Sequence, residues 1–157
     1  MKGVVTMVEE PMEELAGSDM PGEKASKKKP PKGKKRGVRN KELGLRGEEA
    51  AAYFLVRRGY DIVARNWTCF AGEADIIARD GAALVFVEVK TRSSYEKGLP
   101  GEAVNKEKRR RYEKIAAAFL SQYEVVDVPL RFDVVSIVAV APDRAMIRHH
   151  INAFAAA

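Results

Sequence analysis

Residues 72–92 read GEADIIARDGAALVFVEVKTR, and their reading decides the fold. Two β-rich runs, Ala74–Arg79 and Ala82–Lys90, flank Asp80-Gly81, a dipeptide suited to the positive φ of tight hairpin turns. The segment therefore predicts an antiparallel hairpin. A two-residue loop sets Asp75 opposite Phe86 and Glu73 opposite Glu88, whereas a four-residue loop sets Asp75 opposite Glu88. Because strand side chains alternate, both registers place Glu73, Asp75, Glu88 and Lys90 on one face.

Three carboxylates and an ammonium on one sheet face are costly unless a cation sits among them. A hard divalent ion such as Mg²⁺, with Mn²⁺ able to substitute, takes carboxylate oxygens and keeps several waters, so Asp75 and Glu88 suit it better than any soft metal. Such an ion can polarise a phosphoryl oxygen and lower the pKa of a bound water. Lys90, two residues from Glu88, could orient that water or stabilise charge on the phosphate. Glu88-Val89-Lys90 is the only (Asp/Glu)-x-Lys in the chain and lies in its most apolar strand; the plain alternative is a solvated ion pair. Glu73 has the corresponding alternative of a solvated strand start.

Outward from the hairpin, Lys41–Arg58 reads as an amphipathic helix capped by Asn40 and ended by Gly59. Its expected apolar stripe is Leu45, Ala52, Leu55 and Val56, with Glu48 falling between Ala52 and Leu55. A carboxylate on a core-directed side reads as a further metal ligand or an acceptor supporting one; with the stripe rotated by one position it is a surface charge. Tyr60–Trp67 reads as a strand burying Ile62 and Val63. A second helix over Ala103–Tyr123 carries Val104, Tyr112, Ile115 and Phe119 on one face. Lys108 falls within that stripe with Arg111 beside it, so each either snorkels to water or meets a phosphate. Thr91 and Arg92, next to Lys90, are candidates for the substrate backbone. Leu130–Val140 reads as a strand and Ala145–Phe154 as a short strand with a terminal turn. Asp133 is expected to be structural, paired with a neighbouring Arg, while His149 and His150 face opposite sides and do not chelate together. The order helix, three strands, helix, strand is α/β, without internal repeats.

The chain has 157 residues with 28 basic and 22 acidic, enough for one domain and a tail. Residues 1–23 hold one lysine against six acids, and residues 24–41 hold ten basic residues and no acid, which leaves the remainder nearly neutral. The prolines and lysine runs of residues 1–40 predict a disordered, acidic-then-basic tail, and residues 41–157 the folded domain. The excess basic charge belongs to the tail, an accessory tether for nucleic acid. A lone Cys69 excludes an intrachain disulfide and a Cys-rich zinc site; with Trp67 it reads as a packing or loop residue. No apolar run approaches the ~18 residues of a membrane span and no signal peptide is evident, so a cytoplasmic location is expected.

The stretches GEADII, DG and LVFVEVKTR, preceded by LRGEEAA and followed by RFDVV and INAF, resemble the YraN-type family of the restriction-endonuclease-like, PD-(D/E)xK nuclease superfamily. The similarity runs from about Leu43 to Phe154. It implies a mixed central β-sheet flanked by helices, with Asp75 as the metal-binding Asp, Glu88 and Lys90 in the (D/E)xK positions, and Glu48 as the acid of the first helix. Ala74 stands where the motif has Pro. The implied function is Mg²⁺-dependent phosphodiester hydrolysis in DNA or branched nucleic acid, and dimerisation follows by analogy with junction-cleaving relatives. The alternatives are a non-catalytic nucleic-acid-binding module of the same fold and, less favoured, a protein-interaction scaffold.

Overall fold

The computed structural model describes residues 4–8, 34–93, 105–123, 127–141 and 144–154. A helix α1 (Lys34–Arg57) leads into a three-stranded meander, β2 (Asp61–Cys69), β3 (Gly72–Asp80) and β4 (Ala83–Arg92), after an N-terminal strand β1 (Val4–Val8). Helix α2 (Lys106–Gln122) then crosses to β5 (Leu130–Ala141), and β6 (Arg144–His150) ends in a turn at residues 151–154. The sheet order is β1-β6-β5-β4-β3-β2. Among the described strands only β4 and β5 pair in parallel, and α2 lies in the crossover that parallel neighbours require. The expected mixed sheet flanked by helices is thus present, with β2 to β6 forming its body and β1 lying on the β6 edge.

Each helix covers one face. On the α1 side, Ala51, Phe54 and Leu55 pack against Ile76, Ala78, Val85, Val87, Val135 and Ile137. On the α2 side, Tyr112, Ile115 and Phe119 pack against Ala74, Ile77, Phe86 and Val134. The stripe of α2 is the expected one at Tyr112, Ile115 and Phe119, while Val104 lies outside the described residues. The stripe of α1 is rotated: Leu45 and Val56 are exposed, and Gly47, Ala51, Phe54 and Leu55 are buried. Gly47 explains the rotation, because its bare Cα lets the helix settle onto β4. A Cβ there would lie 2.8 Å from Thr91 Cβ.

The expected C-terminus of α1 is correct. Gly59, at φ +85°, closes a Schellman turn in which Gly59 N–H donates to Val56 O at 2.9 Å and Tyr60 N–H to Leu55 O at 3.0 Å. Its start is earlier than Asn40. Once nucleated, a helix extends at little cost per residue until a proline stops it, and none intervenes after Pro31. Residues 37–42 are accordingly all exposed. Of the tail expected over residues 1–40, Val4–Val8 is strand and Lys34–Asn40 is helix, and the rest lies outside the described residues.

Two local readings are corrected. Val63 is exposed rather than buried, because the β2–β3 register slips between Ile62 and Ala64 and turns it outward. The hairpin turn is Gly81-Ala82 rather than Asp80-Gly81, with Asp80 paired to Ala83 and φ +58° at Gly81. The resulting pairing, Ile76 to Val87, is the one expected for the longer loop.

A buried polar network ties the strands at one end of the α1 face. Asp133 is fully buried and accepts from Arg131 Nε at 3.0 Å, His149 Nε2 at 2.8 Å and Asn152 N–H at 2.8 Å. Arg131 also donates to Asp80 Oδ2 at 2.8 Å and to the Tyr60 hydroxyl at 2.7 Å. Asp133 is therefore structural, as expected, and Arg131 is its neighbour. Burial alone would raise the Asp133 pKa, but the bonds from His149, Arg131 and Asn152 outweigh it and hold the carboxyl below its ordinary value.

Two outcomes follow for stability. Gly47→Ala should lose about 1–3 kcal/mol in urea denaturation despite alanine's better helix propensity, and adding Thr91→Ala should restore part of the loss. A depressed carboxyl stabilises the fold above its ordinary pKa and loses that contribution as pH falls through the folded value. Acidification from about pH 5 to pH 2 should therefore destabilise the wild type more steeply than Asp133→Asn, which should itself start about 3–5 kcal/mol less stable at neutral pH.

Candidate active site

The β3–β4 ladder stops at Ile76↔Val87, although β4 continues along β5 as far as Arg92↔Val138. Beyond that point the two strands part, and a side chain fills the gap: Val89 N–H donates to Asp75 Oδ2 at 2.7 Å. Alternation also slips here. Ala74 and Ile77, three residues apart, both pack on the α2 side, as do Ala64 and Trp67 on β2. Between the latter pair Asn66 adopts φ +48°, a conformation that asparagine tolerates better than most residues. Asp75 thus sits in the cleft between the strands rather than squarely on one face.

Glu88 and Lys90 project on the α2 side, where Lys108 Nζ forms an ion pair with Glu88 Oε1. The other oxygen, Glu88 Oε2, is buried without a hydrogen-bond partner among the described residues. The Tyr112 hydroxyl is kept protonated first by burial and then by the charges of Glu88 and Asp75. Burial lowers the Lys90 pKa, Lys108 lowers it further, and Glu88 opposes the shift. On the α1 side, Glu48 Oε2 accepts from Asn66 Nδ2 at 2.7 Å and adds its charge to the field on Asp75.

The Asp75 carboxyl is pushed up to about 6. Burial is the main cause, the Val89 N–H works against it, and Glu48, Glu88 and Glu73 add to it. The acids around Asp75 therefore crowd negative charge into a desolvated place, and the ammonium of Lys108 offsets part of it at Glu88. Among the described residues, no three His, Cys, Asp or Glu side chains converge closely enough to hold a metal ion as they stand. The donor chemistry nevertheless fits a hard divalent cation with waters completing its shell: two carboxylates on adjacent strands, one with a buried, unpartnered oxygen.

The expected set is thus largely brought together. Glu88 acts on both Asp75 and Lys90, and Glu48, bound to Asn66, adds its charge beside Asp75. Glu73 is exposed and reaches Asp75 only through its charge. Lys108 is part of the cluster rather than a snorkelling side chain, and Arg111 is exposed on α2 with its stem against Gly72. Thr91 lies under Gly47 on the α1 side, which places it in the packing and away from α2. Arg92 is half-buried at the end of β4. Sequence reasoning passed over Asn66 and Tyr112 as site residues. An asparagine within a strand run, Ala64-Arg65-Asn66-Trp67, was the available signal for the first. Tyr112 gave none, because its stripe position reads as core.

A mixed sheet flanked by two helices, opening between two strands around an Asp, Glu and Lys, defines an α/β domain with an acid–lysine site. The model of the Uncharacterised protein family UPF0102 matches residues 47–137, a span from Gly47 through every residue of this cluster. The chain belongs to this family, the one its YraN-type motifs point to. Relatives include UPF0102 proteins of Geobacter sulfurreducens, 50% identical over 73% of this chain and 90% of the relative, and of Symbiobacterium thermophilum, 45% identical over 73% and 98%. One from Beutenbergia cavernae is 43% identical over 68% of this chain and 91% of its own length.

A carboxyl whose pKa is raised on folding makes the fold less stable as pH rises from its ordinary value through the folded value. In metal-free buffer at pH 8, Asp75→Asn should consequently be more stable than the wild type by about 1–3 kcal/mol, and the gap should close near pH 4. Thermal denaturation at both pH values checks this.

Proposed function

We propose that the protein is a metal-dependent nuclease that hydrolyses phosphodiester bonds in DNA. The observation that carries this reading is that Asp75, held in the gap where β3 and β4 part, feels the charge of Glu88, which acts in turn on Lys90. Structural carboxylates are paired off in a fold, as Asp133 is; Asp75 is instead buried among other carboxylates with its pKa raised to about 6, a perturbation typical of functional sites. Asp75 and Glu88 would hold Mg²⁺ or Mn²⁺, with Glu48 supporting from α1. The bound ion would supply Lewis acidity toward a phosphoryl oxygen and a more acidic water. Lys90 lies on the Glu88 side of β4 and would hold a water or a non-bridging phosphate oxygen, its lowered pKa easing proton exchange at Nζ. Lys108 neutralises Glu88 in the metal-free protein and, once released, is available to a phosphate. Arg111 would add a backbone contact.

The Lys108–Glu88 pair also favours a second reading, a nucleic-acid-binding module without catalysis, in which Lys108 occupies the cation's place permanently. The two readings separate by experiment. Under the nuclease reading, the wild type with Mg²⁺ or Mn²⁺ cleaves at least one of linear, nicked, flapped or junction DNA, and Asp75→Asn, Glu88→Gln and Lys90→Ala each lose about 10²–10³-fold in rate. Lys108→Ala should lower the Mg²⁺ concentration needed for half-maximal activity, by removing the competing ammonium. Salt-sensitive DNA binding that needs no divalent ion, survives Glu88→Gln and Lys90→Ala, and comes with no cleavage of any substrate supports the module instead.

A further inference from the structure

The turn between β2 and β3 carries Phe70, which is 87% exposed and the most exposed large apolar side chain among the described residues. The turn itself is well anchored. The Ala71 N–H donates to Cys69 Sγ at 3.4 Å, and Trp67 meets Phe119 of α2 edge-on at 5.2 Å between ring centres. Gly72, at φ +139°, brings the chain so close to α2 that a Cβ there would touch the Arg111 stem at 3.5 Å and Ile115 at 3.6 Å. Phe70 therefore stands out from a fixed support.

The ring forms part of the wall of a cleft of about 720 Å³ between this turn and the N-terminal half of α2. The facing wall presents Lys108, Arg110, Arg111 and Lys114, with Glu107 as the one acid among the lining residues. Lys108 belongs to both the cleft and the Glu88 ion pair, so the cleft borders the acid–lysine cluster. Phosphates complement such a row of cations. A continuous duplex would offer the row its phosphates and nothing to the ring, because its base faces are covered by stacking. An unpaired strand offers both, since every base has an open π-face and the backbone lies one side chain away.

Building on the nucleic-acid reading above, we infer that Phe70 is a stacking platform and that the cleft receives an unpaired DNA strand adjoining a duplex. Arg111 and Lys114 hold its phosphates, and the Phe70 ring takes an unstacked base. The substrate class is then forked or flapped DNA in preference to continuous duplex.

Binding of the full chain in EDTA, where no cleavage competes, tests this by fluorescence anisotropy on splayed-arm DNA and on blunt duplex of equal length. A 2-aminopurine in the arm reports stacking. Phe70→Ala should weaken splayed-arm binding about tenfold and abolish the 2-aminopurine quench, while duplex affinity changes less than twofold. Phe70→Trp should stay within twofold of wild type, and Phe70→Leu should behave like the alanine variant; an unchanged melting temperature confirms that all three fold. Equal losses on both DNAs, no loss on either, or full rescue by leucine overturns the stacking role, and tighter binding of a splayed-arm RNA overturns the choice of DNA. Absence of the Phe70 effect in a protein that still cleaves leaves the nuclease reading standing. A clear Phe70 effect in a protein that cleaves nothing supports this inference and removes that reading.

Discussion

The hydrogen bond from the Val89 N–H to Asp75 Oδ2 is the constraint on which the site depends. A backbone donor inside a sheet must be satisfied, and in β4 a side chain performs the role that β3 backbone would ordinarily fill. The exchange lets the two strands part while keeping the sheet intact. It also holds an aspartate in a desolvated cleft among other carboxylates, and that burial and charge raise its pKa to about 6 although the bond itself opposes the rise.

The cleft can open because the rest of the sheet is held elsewhere. Asp133, Arg131 and His149 join β5, β6, the end of β3 at Asp80 and Tyr60, the residue before β2, in one network centred on the buried Asp133. Buried ion pairs seldom contribute much net stability, since desolvation offsets their attraction, so the more consistent role for this one is to set register. Setting β5 also sets β4, because the two pair in parallel from Leu84↔Leu130 to Arg92↔Val138. Glu88 and Lys90 take their heights from that ladder. Here carboxylates play two opposite roles in one domain: Asp133 is fully paired and held below its ordinary pKa, whereas Asp75 is underpaired and held above it.

Much of this was legible before folding. The hairpin, the Gly59 helix end, the α2 stripe and the grouping of Asp75, Glu88 and Lys90 all follow from short-range rules, with turn residues and period-two or helical spacing sufficient to place them. What escaped were the features set by close approach between distant segments. The rotation of α1 depends on Gly47 meeting Thr91, and no periodicity encodes that contact. The slips at Val63 and at Asp75 break strict alternation, so Val63 turns to solvent and Asp75 sits in a gap, neither of which period-two spacing encodes. Lys108 looked equally suited to solvent or to an anion, and only the fold shows its actual partner to be Glu88.

The central claim is that Asp75 and Glu88 form a vacant-charge site built for a divalent cation. Site-specific ¹³C NMR titration of the Asp75 carboxyl, with and without Mg²⁺, reads that charge state without requiring turnover. The account predicts a pKa of about 6 in the metal-free protein and a fall of at least one unit on saturation with Mg²⁺, with the fall lost in Glu88→Gln. An Asp75 carboxyl that titrates at its ordinary value, or one near 6 that Mg²⁺ leaves unmoved, would contradict it.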